Sequence, residues 1–470
     1  MIGKVSLLSL ILFVAAGCVT QPTATATSTL AVRPASAASS TPAAALSEQE
    51  AVVLANEFYD LFVARQDYVK AITLFDDQLK AALPESKLKE VWTALPQQVG
   101  TFQSRSDARL GERKDPYQRV IIPLRFEKTR LNMLVVVDMT IGKISGLFFQ
   151  PNQEAQAQQY KTPSYVDAAK FEEKEVTVGA EPWTLPGILT LPKGTGPFPA
   201  IVLVHGSGPN DRDETIGPNK PFKDIAQGLA SQGIAVLRYD KRTKIYPQEA
   251  TQIENFTVKD ETITDAVAAV EFLRRQPQIN PQKVFVLGHS LGGYLAPRIA
   301  QADSEIAGMI ILAGATRPLE DMMVEQTRYL LESDGSLSAE DQAQITQLQQ
   351  QVGAVKALTE QSSGDKAILG APASYWIDLK DYHPADLARS LTIPLLIVQG
   401  ERDYQVTMQD FQNWQEALAG QANVTLKSYP SLNHLFISGD GKSIPAEYQT
   451  PGNVAPVIIQ DMANWIQQRS

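Results

Sequence analysis

The sequence predicts a chain in two folded parts, a small α+β unit and then a larger α/β unit built on a doubly wound, mostly parallel sheet with a helical cap insertion. Three observations carry that expectation. From Ser47 to about Gln150, helical periodicity comes first and strand-like runs follow, the order of helices packed on one face of an antiparallel sheet. Beyond residue 167, short β-branched runs such as IVLV and LLIV alternate with helical stretches, as expected of strands buried on both faces. At 470 residues, 44% of them hydrophobic and 20% charged, the chain exceeds one small domain and its body is globular rather than disordered.

Taken from the N-terminus, residues 1–18 read as an export signal. Lys4 precedes VSLLSLILFVAAG, an apolar run too short to span a bilayer and of the right length for the core of a signal peptide. The run ends in small residues before Cys18. That is the only cysteine, so no intrachain disulfide forms and no zinc site of CxxC pairs exists. Residues 19–46, beginning VTQPTATATST, are rich in Thr, Ala, Ser and Pro and contain no aromatic side chain; they read as a flexible tether.

The α+β unit is expected over 47–151. SEQEAVVLANEFYDLFVAR carries apolar residues at helical spacing, with Ser47 and Glu50 placed as a capping box. PESKLKEVWTALPQQVG is a further helix, and RVIIPLRFEK, TRLNMLVVVDMT and KISGLFFQP are strands. Residues 152–167, polar and containing a proline, form the linker.

The α/β unit, 168–470, opens on an antiparallel hairpin of KEVTVG and TLPGILTLP. Strand PAIVLVHGS, helix FKDIAQGLASQG, strand IAVLRYDKR and helix TVKDETITDAVAAVEFLRRQ follow, then strand KVFVLGHS with its helix and strand IAGMIILAGA. After an interruption over about 317–390 come PLLIVQGERD, a helix around FQNWQEALAG, VTLKSYPS and a last helix, APVIIQDMANWIQQ. The interruption is mostly helical and falls between the sixth and seventh strands. Above the strand ends it would be a lid, where ligands sit in open α/β sheets.

A net charge of -10 argues against a nucleic-acid partner, which would want a clustered basic face. The four histidines, His205, His289, His383 and His434, show no metal-ligand spacing, so neither metal nor cofactor is expected. Chemistry concentrates instead in VFVLGHSLGGYLAPRIA, residues 284–300. Gly288-His289-Ser290-Leu291-Gly292 matches G-x-S-x-G, a pattern that roughly one chain in six of this length would hold by chance. Its setting, a strand leading in and a helix leading out, gives it meaning. Glycines flank Ser290 because side chains there would collide across so sharp a turn, and Gly293 lets the helix lie close to the strand. Ser290 is thereby presented as a nucleophile at a helix N-terminus, whose free N–H groups favour a developing negative charge.

A serine hydroxyl needs a base, and the base needs a carboxylate to orient it. His434, in the loop after the last strand, and Asp403, just past LLIVQG, meet those needs. The order Ser290, Asp403, His434 is that of the α/β-hydrolases. Glu401 is a rival acid two residues away.

VHGSGPNDRD, LGHSLGG, GERD and NHLF together resemble the motifs of an α/β-hydrolase of the bacterial esterase type with a helical cap, over about 165–470. The resemblance implies that Asp403, rather than Glu401, is the acid. It also implies an oxyanion hole formed by the backbone N–H groups of Leu291 and of Ser207, after His205-Gly206. One preorganised donor contributes on the order of 3 kcal/mol. The implied activity is hydrolysis of a small-molecule carboxylic ester. The unit over 47–151 resembles the cone-shaped domains of the nuclear-transport-factor-two-like superfamily, as a spacer, interaction or ligand-holding module. The segment ending at Cys18 resembles a bacterial lipoprotein signal, with Cys18 lipidated and the protein held at a cell-surface or periplasmic membrane; an ordinary secretory signal is the alternative.

Other readings stay open at this stage. A serine peptidase of the same fold shares the chemistry, and an anchored binding protein with a vestigial hydrolase is a third possibility. His205 either braces the oxyanion loop or touches substrate, His289 reads as a packing residue, and His383, before Pro384 in the cap stem, reads as structural. Asp211, Arg212 and Asp213 either meet substrate or hold their loop by ion pairing.

Overall fold

The computed structural model describes residues 46–470, apart from 128, 153–158, 334, 363–366 and 470. The export signal, Cys18, the tether and part of the linker lie outside the described residues. The described residues fall into two compact units, one before and one after the boundary at 156/157.

In the first unit, helix Glu48–Tyr59 starts where Ser47 caps it: the Glu50 N–H donates to Ser47 Oγ, and the Ser47 N–H donates to Glu50 Oε2 at 2.7 Å. The helix runs into a π-helical turn, Asp60–Ala64, in which Phe62 and Val63 are buried. After a second long helix, Glu85–Val99, come strands β1 (Phe102–Arg105), β2 (Arg109–Lys114), β3 (Tyr117–Phe126), β4 (Arg130–Asp138) and β5 (Lys143–Pro151). All their pairings are antiparallel, in the order β1-β3-β4-β5 with β2 beside β3. Along β3, Val120, Ile122, Leu124 and Phe126 alternate inward and are buried, as a two-residue period demands. Strands β1 and β2 escape sequence reading because FQSR and RLGERK are almost wholly exposed and carry no apolar alternation.

The second unit holds one eight-stranded sheet. Its strands are β6 (Phe171–Val178), β7 (Leu185–Pro192), β8 (Phe198–Val204), β9 (Ala235–Tyr239), β10 (Ile279–His289), β11 (Met309–Leu312), β12 (Leu395–Gly400) and β13 (Val424–Tyr429). The order is β13-β12-β11-β10-β8-β9-β7-β6, antiparallel only at β6–β7 and β7–β9. Strands β9, β11 and β12 are buried along their whole length, which accounts for the apolar runs AVL, MIIL and LLIV that dominate them. Helices Leu319–Leu331, Ala339–Lys356, Ala373–Leu379 and Pro384–Arg389 form the insertion between β11 and β12. The third is anchored to helix Leu291–Ala302: Arg298 pairs with Asp378 at 2.8 Å and stacks on Tyr382, whose hydroxyl donates to the Tyr294 carbonyl.

The register decides what can meet. Gly288 lies beside Val204 on one neighbouring strand and beside Ile311 on the other, and Gly400 lies beside Tyr429. In parallel strands, the loops beginning at residues 205, 290, 401 and 430 therefore leave the sheet at the same edge.

The packing of the first unit makes a prediction. Phe62 is fully buried, stacked on Phe58 at 5.2 Å and edge-on to Trp92 at 5.4 Å. Phe62→Ala is expected to destabilise this unit by about 3–5 kcal/mol, measured by denaturant unfolding of the full chain; a loss below 1 kcal/mol would show that this ring is not central to the core.

Candidate active site

At the end of β10 the backbone turns through Ser290 with φ 53° and ψ −114°, the left-handed half of conformational space that non-glycine residues rarely enter. The Ser290 N–H donates to the Leu312 carbonyl at 2.9 Å, and its own carbonyl accepts from the Tyr294 N–H at 2.8 Å, so both neighbours hold the turn. A Cβ on Gly288 would lie 2.2 Å from the Gly292 carbonyl oxygen, and one on Gly292 would lie 2.4 Å from that of Val204. Neither space exists. The glycines are there because nothing larger fits, and the collision expected across the turn is the one found.

Asp403 and His434 meet directly: Asp403 Oδ2 is 2.7 Å from His434 Nδ1, and both residues are buried. The carboxylate also accepts from the Gln405 and Val406 N–H groups at 2.8 and 3.0 Å and from Gln399 Nε2 at 3.2 Å. A carboxylate can only accept, so the proton of the imidazole sits on Nδ1 and Nε2 is left as the basic nitrogen. Glu401 points elsewhere, accepting from Ser428 Oγ at 2.8 Å. Between the two acids, contact with histidine belongs to Asp403.

Ser290 is partly exposed, and its hydroxyl makes no hydrogen bond among the described residues. Its link to His434 runs through its neighbour: His289 Nε2 lies 2.9 Å from the His434 carbonyl oxygen, and the two rings are 4.7 Å apart. His289 does more than pack, contrary to the expectation from sequence. Its Nδ1 is 2.8 Å from Glu214 Oε2, and the two side chains form a buried ion pair. Burial opposes charge on both partners. Their mutual attraction outweighs it, holding His289 above and Glu214 below their ordinary values. Glu214 Oε1 in turn accepts the Gly206 N–H at 2.7 Å. One buried pair thus ties the loop after β8 to the loop carrying His434. Glu214 offered no signal in sequence, since its partners lie 8 and 75 positions away.

The loop after β8 passes close to the serine: a Cβ on Gly206 would lie 3.1 Å from Ser290 Cβ. Among the described residues, the N–H groups of Ser207 and Leu291 have no intramolecular partner. His205 is buried against Phe222 and Tyr239, its Nε2 3.0 Å from the Asp211 carbonyl oxygen, and so braces the loop. The acidic and basic residues that follow are engaged within the protein. Arg212 is bidentate to Asp240, Asp213 bridges Lys220 and Arg238, and Asp211 Oδ1 accepts from the N–H groups of Asp213 and Thr215. His383 is exposed beside a surface groove under the helix it precedes. Among the described residues, no cluster of His, Cys, Asp and Glu could hold a metal ion, and no helix is long and apolar enough to cross a membrane.

A doubly wound sheet with its serine elbow, acid and histidine at one edge defines an α/β-hydrolase. Residues 197–440 match the family described as serine aminopeptidase, S33, and residues 55–147 match a protein of unknown function (DUF3887). The chain is 41% identical over 401 residues to Esterase EstD of Thermotoga maritima, across 85% of this chain and 92% of that one. It is 29% identical over 128 residues to acylamino-acid-releasing enzyme 1 of Oryza sativa subsp. japonica, across 27% of this chain and 15% of that one. Among solved structures, Est1E from Butyrivibrio proteoclasticus is 15% identical with a TM-score of 0.39, covering 63% of this chain and 98% of that one. The chain belongs to the S33-type family of α/β-hydrolases, and it is a hydrolase.

Burial pushes the His205 imidazole down from 6.5 to about 4. The unfolded chain therefore takes up a proton near 6.5 that the folded state refuses until about 4, so stability is lost as pH falls through that window. Thermal melts of wild type and His205→Gln over this range should show the difference between them shifting against wild type as pH drops. A pH-independent difference would mean that the fold does not keep this ring neutral.

Proposed function

We propose that the protein is a serine carboxylic-ester hydrolase acting through an acyl-enzyme, with Ser290 as nucleophile, His434 as general base and acid, and Asp403 as the group that orients the imidazole. The observation that carries this reading is the buried 2.7 Å contact between Asp403 Oδ2 and His434 Nδ1 at the same sheet edge as the strained Ser290 turn. Ser290 Oγ attacks the ester carbonyl while His434 Nε2 takes its proton. The carbonyl π bond opens onto oxygen, and the unpartnered N–H groups of Leu291 and Ser207 hold the oxyanion. The intermediate collapses with loss of the alcohol, which receives the proton from His434. Water then attacks the acyl-enzyme with His434 again as base, releasing the acid and restoring Ser290.

The strong likeness to a protein named an esterase further supports the ester reading. The family description and the shorter likeness to an acylamino-acid-releasing enzyme favour a second reading, a peptidase. Turnover of p-nitrophenyl acyl esters against aminoacyl anilides separates the two. On the ester reading the esters are cleaved and the anilides are not.

Ser290→Ala should abolish turnover and fluorophosphonate labelling without lowering the melting temperature, because one small residue replaces another. Asp403→Asn should lower kcat by about 10⁴, and Glu401→Gln should leave it within a factor of about two, as for surface changes away from the site. Full activity in Asp403→Asn would remove Asp403 from the mechanism.

On the same reading the first unit is a cone of the nuclear-transport-factor-two-like kind serving as spacer or interaction module, and the protein is exported and anchored through lipidated Cys18. Supporting this are its helices, which share one buried core with an antiparallel sheet, and the small residues before the lone cysteine. Cys18→Ala should move the protein from the membrane to the soluble fraction of expressing cells; an unchanged distribution would rule the anchor out.

A further inference from the structure

Beneath the loop after β8 lies a buried charged group that the proposed steps do not use. Lys241, two residues past β9, is 2% exposed. Its Nζ donates to the Gly206 carbonyl oxygen at 2.9 Å and to Glu261 Oε1 at 2.6 Å. Glu261 sits in a π-helical turn, Lys259–Ile263, and its other oxygen accepts from the hydroxyl of Tyr375, in the cap helix Ala373–Leu379, at 2.8 Å. The only other side-chain donor to the Gly206 carbonyl among the described residues is Asn210 Nδ2, at 3.2 Å.

The carbonyl that Lys241 grips belongs to the peptide unit whose N–H is that of Ser207. This peptide bond is trans and planar, so its C=O and N–H point in opposite directions and turn together. An ammonium on the oxygen fixes the plane, draws electron density toward that end and strengthens the N–H as a donor at the other. The Gly206 N–H is already taken by Glu214, so residue 206 is clamped on both sides by buried ionised groups. Buried ion pairs contribute little net stability compared with apolar packing of the same volume, which leaves orientation as what this one supplies.

We propose that Lys241 is a positioning residue for the oxyanion donor Ser207 N–H, held in place by Glu261 and Tyr375, so that the cap and the oxyanion loop are tied through one hydrogen-bonded chain. The proposal rests on the serine-esterase reading above.

Lys241→Met/Glu261→Gln removes the ammonium without stranding a buried carboxylate, and Tyr375→Phe removes a single hydroxyl should the double variant fail to fold. The readout is kcat and KM on a p-nitrophenyl ester and on its thionoester, whose sulfur is a weak hydrogen-bond acceptor and gains little from an oxyanion hole. The double variant should lose roughly ten- to a hundredfold in kcat on the ester, less than removal of a donor outright. Tyr375→Phe should lose about two- to tenfold, as for one hydrogen bond. In both, KM should change little and the ester-to-thionoester ratio should shrink. An unchanged ratio in a folded variant, or a loss confined to KM, overturns the proposal while Ser290-dependent fluorophosphonate labelling keeps the nucleophile reading alive. Labelling that survives Ser290→Ala overturns both.

Discussion

The close passage of backbone at residues 288–293 is the constraint on which the rest of the site depends. Gly288, Gly292 and Gly293 approach carbonyl oxygens and Cα atoms of their own turn and of the strands on either side more closely than any Cβ would permit. That approach forces Ser290 into a left-handed conformation costing of order 1–3 kcal/mol. The strain persists because the surroundings over-determine it. The C-terminal half of strand β10 is locked between β8 and β11, in unbroken parallel register from Val284 to Gly288 against β8 and from Val286 to His289 against β11, and Ser290 is bonded on both sides of its own backbone. A central strand of an eight-stranded sheet can hold such a turn where an edge strand could not.

Around this rigid turn, orientation is supplied by buried charge rather than by shape. Asp403 is satisfied by three other donors before it meets His434, so its carboxylate cannot rotate away. Glu214 and His289 join the loop after β8 to the backbone of His434. Arg238, Lys241 and Arg242, consecutive or nearly so at the end of β9, are each buried and each paired with a carboxylate. Isolated in a low-dielectric interior, any one of these groups would be very costly; matched in pairs, they become stiff directional supports. The apolar core fixes where the strand ends lie, and the ionic layer at their rim fixes which way the loops face.

Much of this was legible before the fold was known. Apolar runs in the strands, the glycines around Ser290, the capping box at Ser47 and the helical interruption between β11 and β12 are all local signals, written within a few residues of where they act. Strands β1 and β2 were not, because an exposed edge strand carries no alternation to read. The π-helical turns at Asp60–Ala64 and Lys259–Ile263 were also invisible, since their periodicity differs too little from that of an α-helix to show in a short segment.

Residue types and spacing alone determined the fold class, the serine elbow and the shortlist of acid and base, because each depends on chemistry confined to one strand end. Only the folded chain decided that Asp403 rather than Glu401 faces His434, that His289 pairs with Glu214, and that Lys241 lies against the Gly206 carbonyl. Those partners come from segments 31, 75 and 35 positions apart. Their meeting follows from the parallel register of the sheet, a long-range property that no local pattern encodes.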